Sequence, residues 1–189
     1  MPAPSRADLL AALSDETLAR RAQDGDADAF DVLVLRHAPA LLRFVARTHP
    51  DRSDCDDIVQ ETFIAAWKSL PTFAFRAKFR TWLFSLASRK TVDALRRRRL
   101  DVDLDAVAEP VDDTPGPGRR AESVDFLGAL NRELSRLPYP ARAAWWLREV
   151  DGMTTAEIAT VLHTSEGAVR GHLQRTRGRL AQALVEYKP

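Results

Sequence analysis

Residues 154 to 180, TTAEIATVLHTSEGAVRGHLQRTRGRL, carry the side chains of this chain best suited to chemistry. On a helix turning 100° per residue, Val169, Leu173, Thr176 and Leu180 share one face. Arg170, Gly171, Gln174 and Arg175 fall broadly opposite, with Gly167 and Gly178 beside them. Arginine pairs with guanine and glutamine with adenine in a major groove. The glycines weaken the helix, and close approach to a phosphate backbone is one reason to keep them. Upstream, Thr154 and Glu157 have capping-box spacing, and Ile158, Ala159 and Leu162 form an apolar side. Ser165 suits the N-cap of the second helix. The plan is that of a helix-turn-helix whose second helix reads DNA. A helical hairpin with a solvated arginine face fits the same pattern.

A second mixture lies at Phe73 to Arg99. Phe73, Phe75, Phe79, Trp82 and Phe84 alternate with Arg76, Lys78, Arg80, Arg89 and Lys90. Rings that stack on bases, with cations that follow phosphates, bind single strands. Phe79, Trp82, Leu83 and Leu86 have core spacing, so Phe75 and Arg76 are the better candidates for base contact. The run Arg96 to Arg99 is expected to end its helix as a phosphate patch, or as a solvated end. A third stripe is Asp57, Gln60, Glu61 and Ile64, at i, i+3, i+4 and i+7. It lies beside the core pattern Ile58, Val59, Thr62, Phe63, Ala66 and Trp67. Such a stripe can dock a partner, although its spacing alone equally fits a solvated face.

The elements that position these residues are all helical. Residues 1 to 12 read as a loose arm. Ser14 caps a helix, with Leu13 and Leu18 as a hydrophobic staple, and Gly25-Asp26 breaks it. Helices follow at about 27–48, with a kink expected near Pro39, at about 55–69 and at about 78–99. Residues 100 to 120 differ in kind: six acidic residues precede Arg119, and Pro110, Pro115, Gly116, Pro117 and Gly118 oppose regular structure. Helices resume at about 123–137 and 140–150, the second opening on Pro140 and closing at Gly152. The expected fold is all-α. Two small domains, 13–99 and 123–186, are joined by an acidic Pro/Gly linker over 100–122.

Composition bounds the function. The 189 residues suffice for one ordinary domain or two small ones. Net charge is +1, so any nucleic-acid footprint must come from distribution, not from the total. The lone Cys55 forms no internal disulfide and reads as a small filler rather than a redox sensor. The four histidines, His37, His49, His163 and His172, have no metal-ligand spacing. No Gly-rich phosphate loop or nucleophile motif is present, which argues against an enzyme and implies no cofactor and no metal. No apolar run reaches the roughly 20 residues of a membrane span, and the first ten residues lack a signal peptide's apolar core. A cytoplasmic protein without membrane insertion is expected. A stand-alone helix-turn-helix regulator is the competing reading, but no dimerisation arm is visible and the first domain is left without a role.

Taken together, these motifs resemble a bacterial RNA polymerase sigma factor of the extracytoplasmic-function (ECF) group. The resemblance rests on DDIVQETFIAAW (56–67), FRTWLFSLASRK (79–90) and Asp93 to Arg98 in the first domain, which resemble region 2. In the second domain it rests on LPYPARAAWWLREVDGMTTAEIATVLHTSEGAVR, which resembles region 4. The resemblance implies roles. Asp57, Gln60, Glu61 and Phe63 would dock on the clamp of the polymerase β′ subunit. Phe73, Phe75, Arg76 and Lys78 would form the loop that captures a flipped −10 base, and Arg80, Arg89 and Lys90 the basic −10 helix. Ser165, Glu166, Arg170, Gly171, Gln174 and Arg175 would meet the −35 element. The linker would thread the active-centre channel. Trp145 and Trp146 replace the usual aliphatics, one facing the core and the other a partner such as the β flap or an anti-sigma factor. The implied partners are core RNA polymerase, promoter DNA and an anti-sigma factor. The loop departs from the group's usual Phe-Arg-Gly-acid pattern. His163-Thr164 stands where Gly and an aliphatic residue are common, and Gly171 where Ser is frequent.

Overall fold

A computed structural model describes residues 5–104 and 121–185. Among these residues every regular element is a helix. The linker expected at 100–122 lies, from 105 to 120, outside the described residues.

Most helices begin where a side chain satisfies orphan backbone N–H groups. Helix α1 (Arg6–Ala11) starts at Ser5, whose hydroxyl accepts from Asp8 N–H while the Asp8 carboxylate accepts from Ser5 N–H. This corrects the expected loose arm. Leu10 is buried, and Arg6 pairs with Asp26 at 3.1 Å and with Asp28 at 2.8 Å. Helix α2 (Asp15–Gln23) is capped by Ser14, with Leu18 buried and Leu13 packed on the core as the staple requires. Gly25, at φ +94°, makes the turn into α3 (Ala27–Thr48), which Asp26 caps and which continues through Pro39. Helix α4 is Cys55–Ser69, and a 3₁₀ turn over Leu70–Thr72 follows.

Helix α5 spans Phe79–Leu104, so it passes Arg99 by more than a turn. The arginine run therefore does not end the helix, because no glycine or proline stops the chain before Pro110. The later helices are α6 (Ala121–Ser135), α7 (Tyr139–Glu149), α8 (Thr155–Val161) and α9 (Glu166–Ala183). Gly152 closes the segment after α7 at φ +67°.

Helices α3, α4 and α5 enclose the first core, in which Leu33, Leu41, Phe44, Ile58, Phe79, Leu83 and Phe84 are buried. Each such side chain contributes roughly 1.5–3 kcal/mol by burial. Phe79, Leu83, Trp82 and Leu86 take the core positions their spacing predicts, the last two partly buried. Trp67 does not. It is 42% exposed, leaning on Phe30 at 4.9 Å.

The two halves do not sit apart. Leu147, Met153, Ile158, Val169 and Leu173 of the second half join the core of the first in one cluster. Helix α7 packs on α3 and α8 on α5. Arg142 enters the seam and donates to Thr48 O at 2.5 Å and Ser135 O at 3.0 Å. The Tyr139 hydroxyl meets Ser88 Oγ at 3.0 Å, and burial pushes it up to about 12. A smaller cluster of Leu134, Leu137, Ala141 and Leu180 lies under Trp145 and Trp146. No helix of the described residues is long and apolar enough to cross a membrane.

Candidate nucleic-acid interface

Helix α9 presents the first candidate surface. Ser165 Oγ accepts from Ala168 N–H at 3.1 Å and sets the helix start. Val169, Leu173, Thr176 and Leu180 are buried, the face the spacing assigned. Arg170, Gln174 and Arg175 are exposed, and Glu166 reaches Arg170 at 3.5 Å. Gly171 has a specific reason. A Cβ there would meet Arg175 Nη1 at 3.1 Å, so the missing side chain lets the guanidinium fold along the helix. No such reason exists at Gly178, which faces open space.

The turn before α9 places His163 at φ +50°, a left-handed conformation costly for an L-residue. Thr154 Oγ1 accepts from Glu157 N–H at 3.2 Å, and Glu157 accepts from Thr154 N–H at 2.8 Å, completing the predicted capping box.

The second surface is the loop before α5 and the helix itself. Phe73 is buried and stacks on Trp82 at 4.5 Å and 22°. Phe75 lies on Phe73 at 4.5 Å with φ +54°. Ala74 and Arg76 are exposed. Among the residues assigned to −10 DNA, Phe73 thus supports the loop, Phe75 is partly buried with the Arg20 guanidinium over its ring, and Arg76 is exposed.

The cations assigned to −10 DNA from Lys78 onward are engaged. Lys78 pairs with Glu157 at 2.9 Å. Arg80 pairs with Asp151 Oδ1 at 2.8 Å and also donates to Asp151 O at 3.0 Å. Arg89 Nε donates to His163 Nε2 at 3.0 Å. All three partners belong to the second half, 71 to 79 residues away. Spacing could not reveal Asp151, Glu157 or His163 as partners, because that signal is local. Lys90 pairs with Glu61 of α4 at 3.0 Å.

These contacts shift ionisation. Hydrogen bonds from the Thr154 backbone and from Lys78 hold the Glu157 carboxyl at about 2. Burial raises the Asp151 carboxyl against the pull of Arg80. Burial, then the charge of Arg89, lowers His163, which suits its role as an acceptor. Farther along α5, Arg98 pairs with Asp51 at 2.6 Å.

The third surface is α4. Asp57, Gln60 and Ile64 are exposed, Glu61 is half-buried and tied to Lys90, and Phe63 is buried. Between α3 and α4 runs an apolar groove of about 480 Å³, walled by Phe30, Val34, Val59, Phe63, Ile64 and Trp67. This open groove is why Trp67 departs from its core assignment. Gln60 lies on the rim and Phe63 in the wall. Cys55, at the start of α4, is buried and donates to Asp51 O at 3.3 Å. Burial, then Asp56, raises its thiol, as a filler residue requires and a reactive thiolate does not. Trp145 and Trp146 are both partly buried, Trp146 under the Arg47 guanidinium at 5.4 Å.

Comparison with known proteins places both halves. Residues 33–100 match the family model Sigma-70 region 2, and residues 127–180 match Sigma-70, region 4. The RNA polymerase sigma factor NccH of Alcaligenes xylosoxydans xylosoxydans is 39% identical over 175 residues, covering 90% of this chain and 94% of that protein. The ECF RNA polymerase sigma-E factor of Escherichia coli K12 is 33% identical, covering 87% and 91%. Among solved structures, the sigma factor RpoE bound to the anti-sigma factor NepR from Bartonella quintana superposes with a TM-score of 0.70 at 25% identity. It covers 82% of this chain and 96% of that one.

Proposed function

The chain belongs to the sigma-70 family as an ECF sigma factor, and from that premise we infer how its residues divide promoter recognition. Region 2, over 13–99, docks on the β′ clamp of core RNA polymerase through the exposed edge of α4, where Asp57, Gln60 and Glu61 stand beside the apolar groove. Phe63 acts from the groove wall. The loop Phe73–Lys78 takes an extruded base of the −10 element, Phe75 offering a ring face and Arg76 a cation, and Arg80, Arg89 and Lys90 follow the phosphates of the separated strand. Extrusion costs stacking energy, which ring and edge contacts offset.

Region 4, over 123–186, enters the major groove of the −35 element with α9. Ser165 and Glu166 stand at the helix start, Arg170, Gln174 and Arg175 reach bases and phosphates, and Gly171 gives Arg175 its room. The acidic linker over 100–122 occupies the polymerase channel that nucleic acid otherwise fills. The protein makes and breaks no covalent bond itself: it is not an enzyme, uses no cofactor and works in the bacterial cytoplasm. The relative's complex supports an anti-sigma factor as a further partner, covering the polymerase-binding faces.

The observation that carries this reading is the split of α9 into a buried apolar face and an exposed Arg170–Gln174–Arg175 face. The seam between the halves adds a condition. With Lys78, Arg80 and Arg89 paired to region 4, the −10 helix is covered in the free chain while α9 faces outward. The ion pairs contribute little, about 0–1 kcal/mol where exposed, so the apolar cluster shared by the two halves holds the seam, and polymerase docking must offset its burial to open it. The free protein should therefore bind promoters weakly, and polymerase should supply affinity by holding both halves at a fixed spacing. Run-off transcription with core polymerase on genomic fragments tests the function. Discrete transcripts that need this chain support it. Failure to bind core polymerase would replace it with a plain DNA-binding regulator.

A further inference from the structure

The loop before α5 is held from outside, by α2. The side-chain amide of Gln23 donates to Leu70 O and to Phe73 O, both at 2.8 Å. These carbonyls mark the start of the loop, 47 and 50 residues away in sequence. Two residues on, Phe75 adopts φ +54°, a region that bulky residues rarely enter and that persists only where neighbours fix it. Its ring rests on the Phe73–Trp82 stack, and the Arg20 guanidinium lies 4.2 Å from its centroid. Arg20 and Gln23 are three residues apart on one helix, so they reach the loop from the same side. A planar guanidinium and a nucleobase are alternative partners for an aromatic face.

We propose that Gln23 is a positioning residue and Arg20 a specificity-determining residue for capture of the extruded base. Gln23 fixes the two carbonyls from which the loop departs. Arg20 covers the Phe75 ring until the base takes that face, then turns its donors to the edge of that base. The inference rests on the reading of Phe73–Lys78 as the base-capturing loop.

The test uses the full chain bound to core polymerase. The complex selects from single-stranded oligonucleotides of randomised sequence, and the bound strands are sequenced. The wild type is expected to enrich a motif. Arg20→Gln should flatten preference at one position of that motif by about tenfold, the scale of a lost base contact, and leave the others unchanged. Gln23→Met, matched in size but without donors, should flatten the same position. Equal weakening at every position, or an unchanged motif in both variants, overturns the proposal. Phe75→Ala separates the two levels. If it too leaves the motif unchanged, or the wild type enriches none, the loop reading falls and takes this inference with it. If only Phe75→Ala flattens a position, this inference falls alone. Arg20 is exposed, so its variant keeps the test readable should Gln23→Met melt early.

Discussion

Arg80 of α5 holds Asp151 of region 4 twice, through the carboxylate at 2.8 Å and through the backbone carbonyl at 3.0 Å. One guanidinium that the −10 reading assigns to a phosphate is thus spent on the chain itself. The Asp151 side chain is 9% exposed and that of Arg80 36%, so the pair sits at the edge of the seam, not in its centre. Desolvation of the carboxylate works against the pair and pushes the Asp151 carboxyl above the usual carboxylate range.

Asp151→Ala should therefore remove the carboxylate's hold on Arg80 and leave only that of the backbone carbonyl, at little cost to the fold, within about 1 kcal/mol, because the lost ion pair and the relieved desolvation oppose each other. Expected is tighter binding of a mixed single-stranded oligonucleotide by the free protein, by about threefold or more at low salt. Fluorescence anisotropy measures it. Unchanged affinity alongside an unchanged melting temperature would mean that the seam does not cover the −10 helix.

Glu157 gives the seam and α8 an acid limit. Its folded carboxyl titrates at about 2 against an ordinary value of 4.5, held down first by the Thr154 backbone and then by Lys78. Between those values the unfolded chain binds the proton and the folded chain does not. The contribution is present above pH 4.5 and is lost as pH falls toward 2. Glu157→Gln should flatten the fall of melting temperature across that window, and equal slopes for the two proteins would remove Glu157 from the account. Asp51, held at about 2 by Ser53 and Arg98, titrates in the same window, and with Asp8, Asp15 and Asp26, whose carboxyls hydrogen bonds also lower, it contributes to the slope that remains.

His163 separates backbone strain from contact. Its φ of +50° follows the C-cap of α8, and its imidazole accepts from Arg89. His163→Gly and His163→Ala both remove the imidazole, so their difference reports the backbone alone. The glycine variant should be the more stable by about 1 kcal/mol in thermal or urea unfolding. Both variants should raise oligonucleotide binding equally by releasing Arg89. Equal stability would show that the turn carries no strain.

Much of this was legible because the signals are local. Ser14, Thr154 with Glu157, and Ser165 cap helices within three residues, and the α9 stripe repeats within one helix. The same rule would have exposed α1, since Ser5 and Asp8 carry the capping-box spacing on a segment read as an arm. Trp67 departs from its core spacing because periodicity gives a face but not what covers it, and the groove between α3 and α4 is open. The extension of α5 to Leu104 runs past the arginine run because charge alone does not stop a helix and no glycine or proline stands before Pro110. The pairing of Lys78, Arg80 and Arg89, and the hold of Gln23 on the loop, lie beyond any local pattern. They exist only once helices distant in sequence are packed together.

Gly171 and Arg175 join stability to recognition in one place. Gly171→Ala should stabilise α9 by about 0.5–1 kcal/mol through helix propensity. The new Cβ, 3.1 Å from Arg175 Nη1, meets only the end of a flexible side chain, so the fold can accept it. The guanidinium must then shift by a few tenths of an ångström from its folded position. If its folded position prepares it for DNA, −35 duplex binding by the polymerase complex should weaken even as melting temperature rises. Arg175→Ala sets the scale: about 1–3 kcal/mol lost on the specific duplex, with less lost on random DNA, if Arg175 reads a base. Equal losses on both duplexes would reduce Arg175 to a phosphate contact. In that case Gly171→Ala should raise melting temperature and leave sequence preference intact. Duplex titrations of the two variants beside thermal melts distinguish these outcomes, because a base reader moves both readouts in opposite directions and a phosphate contact moves only one.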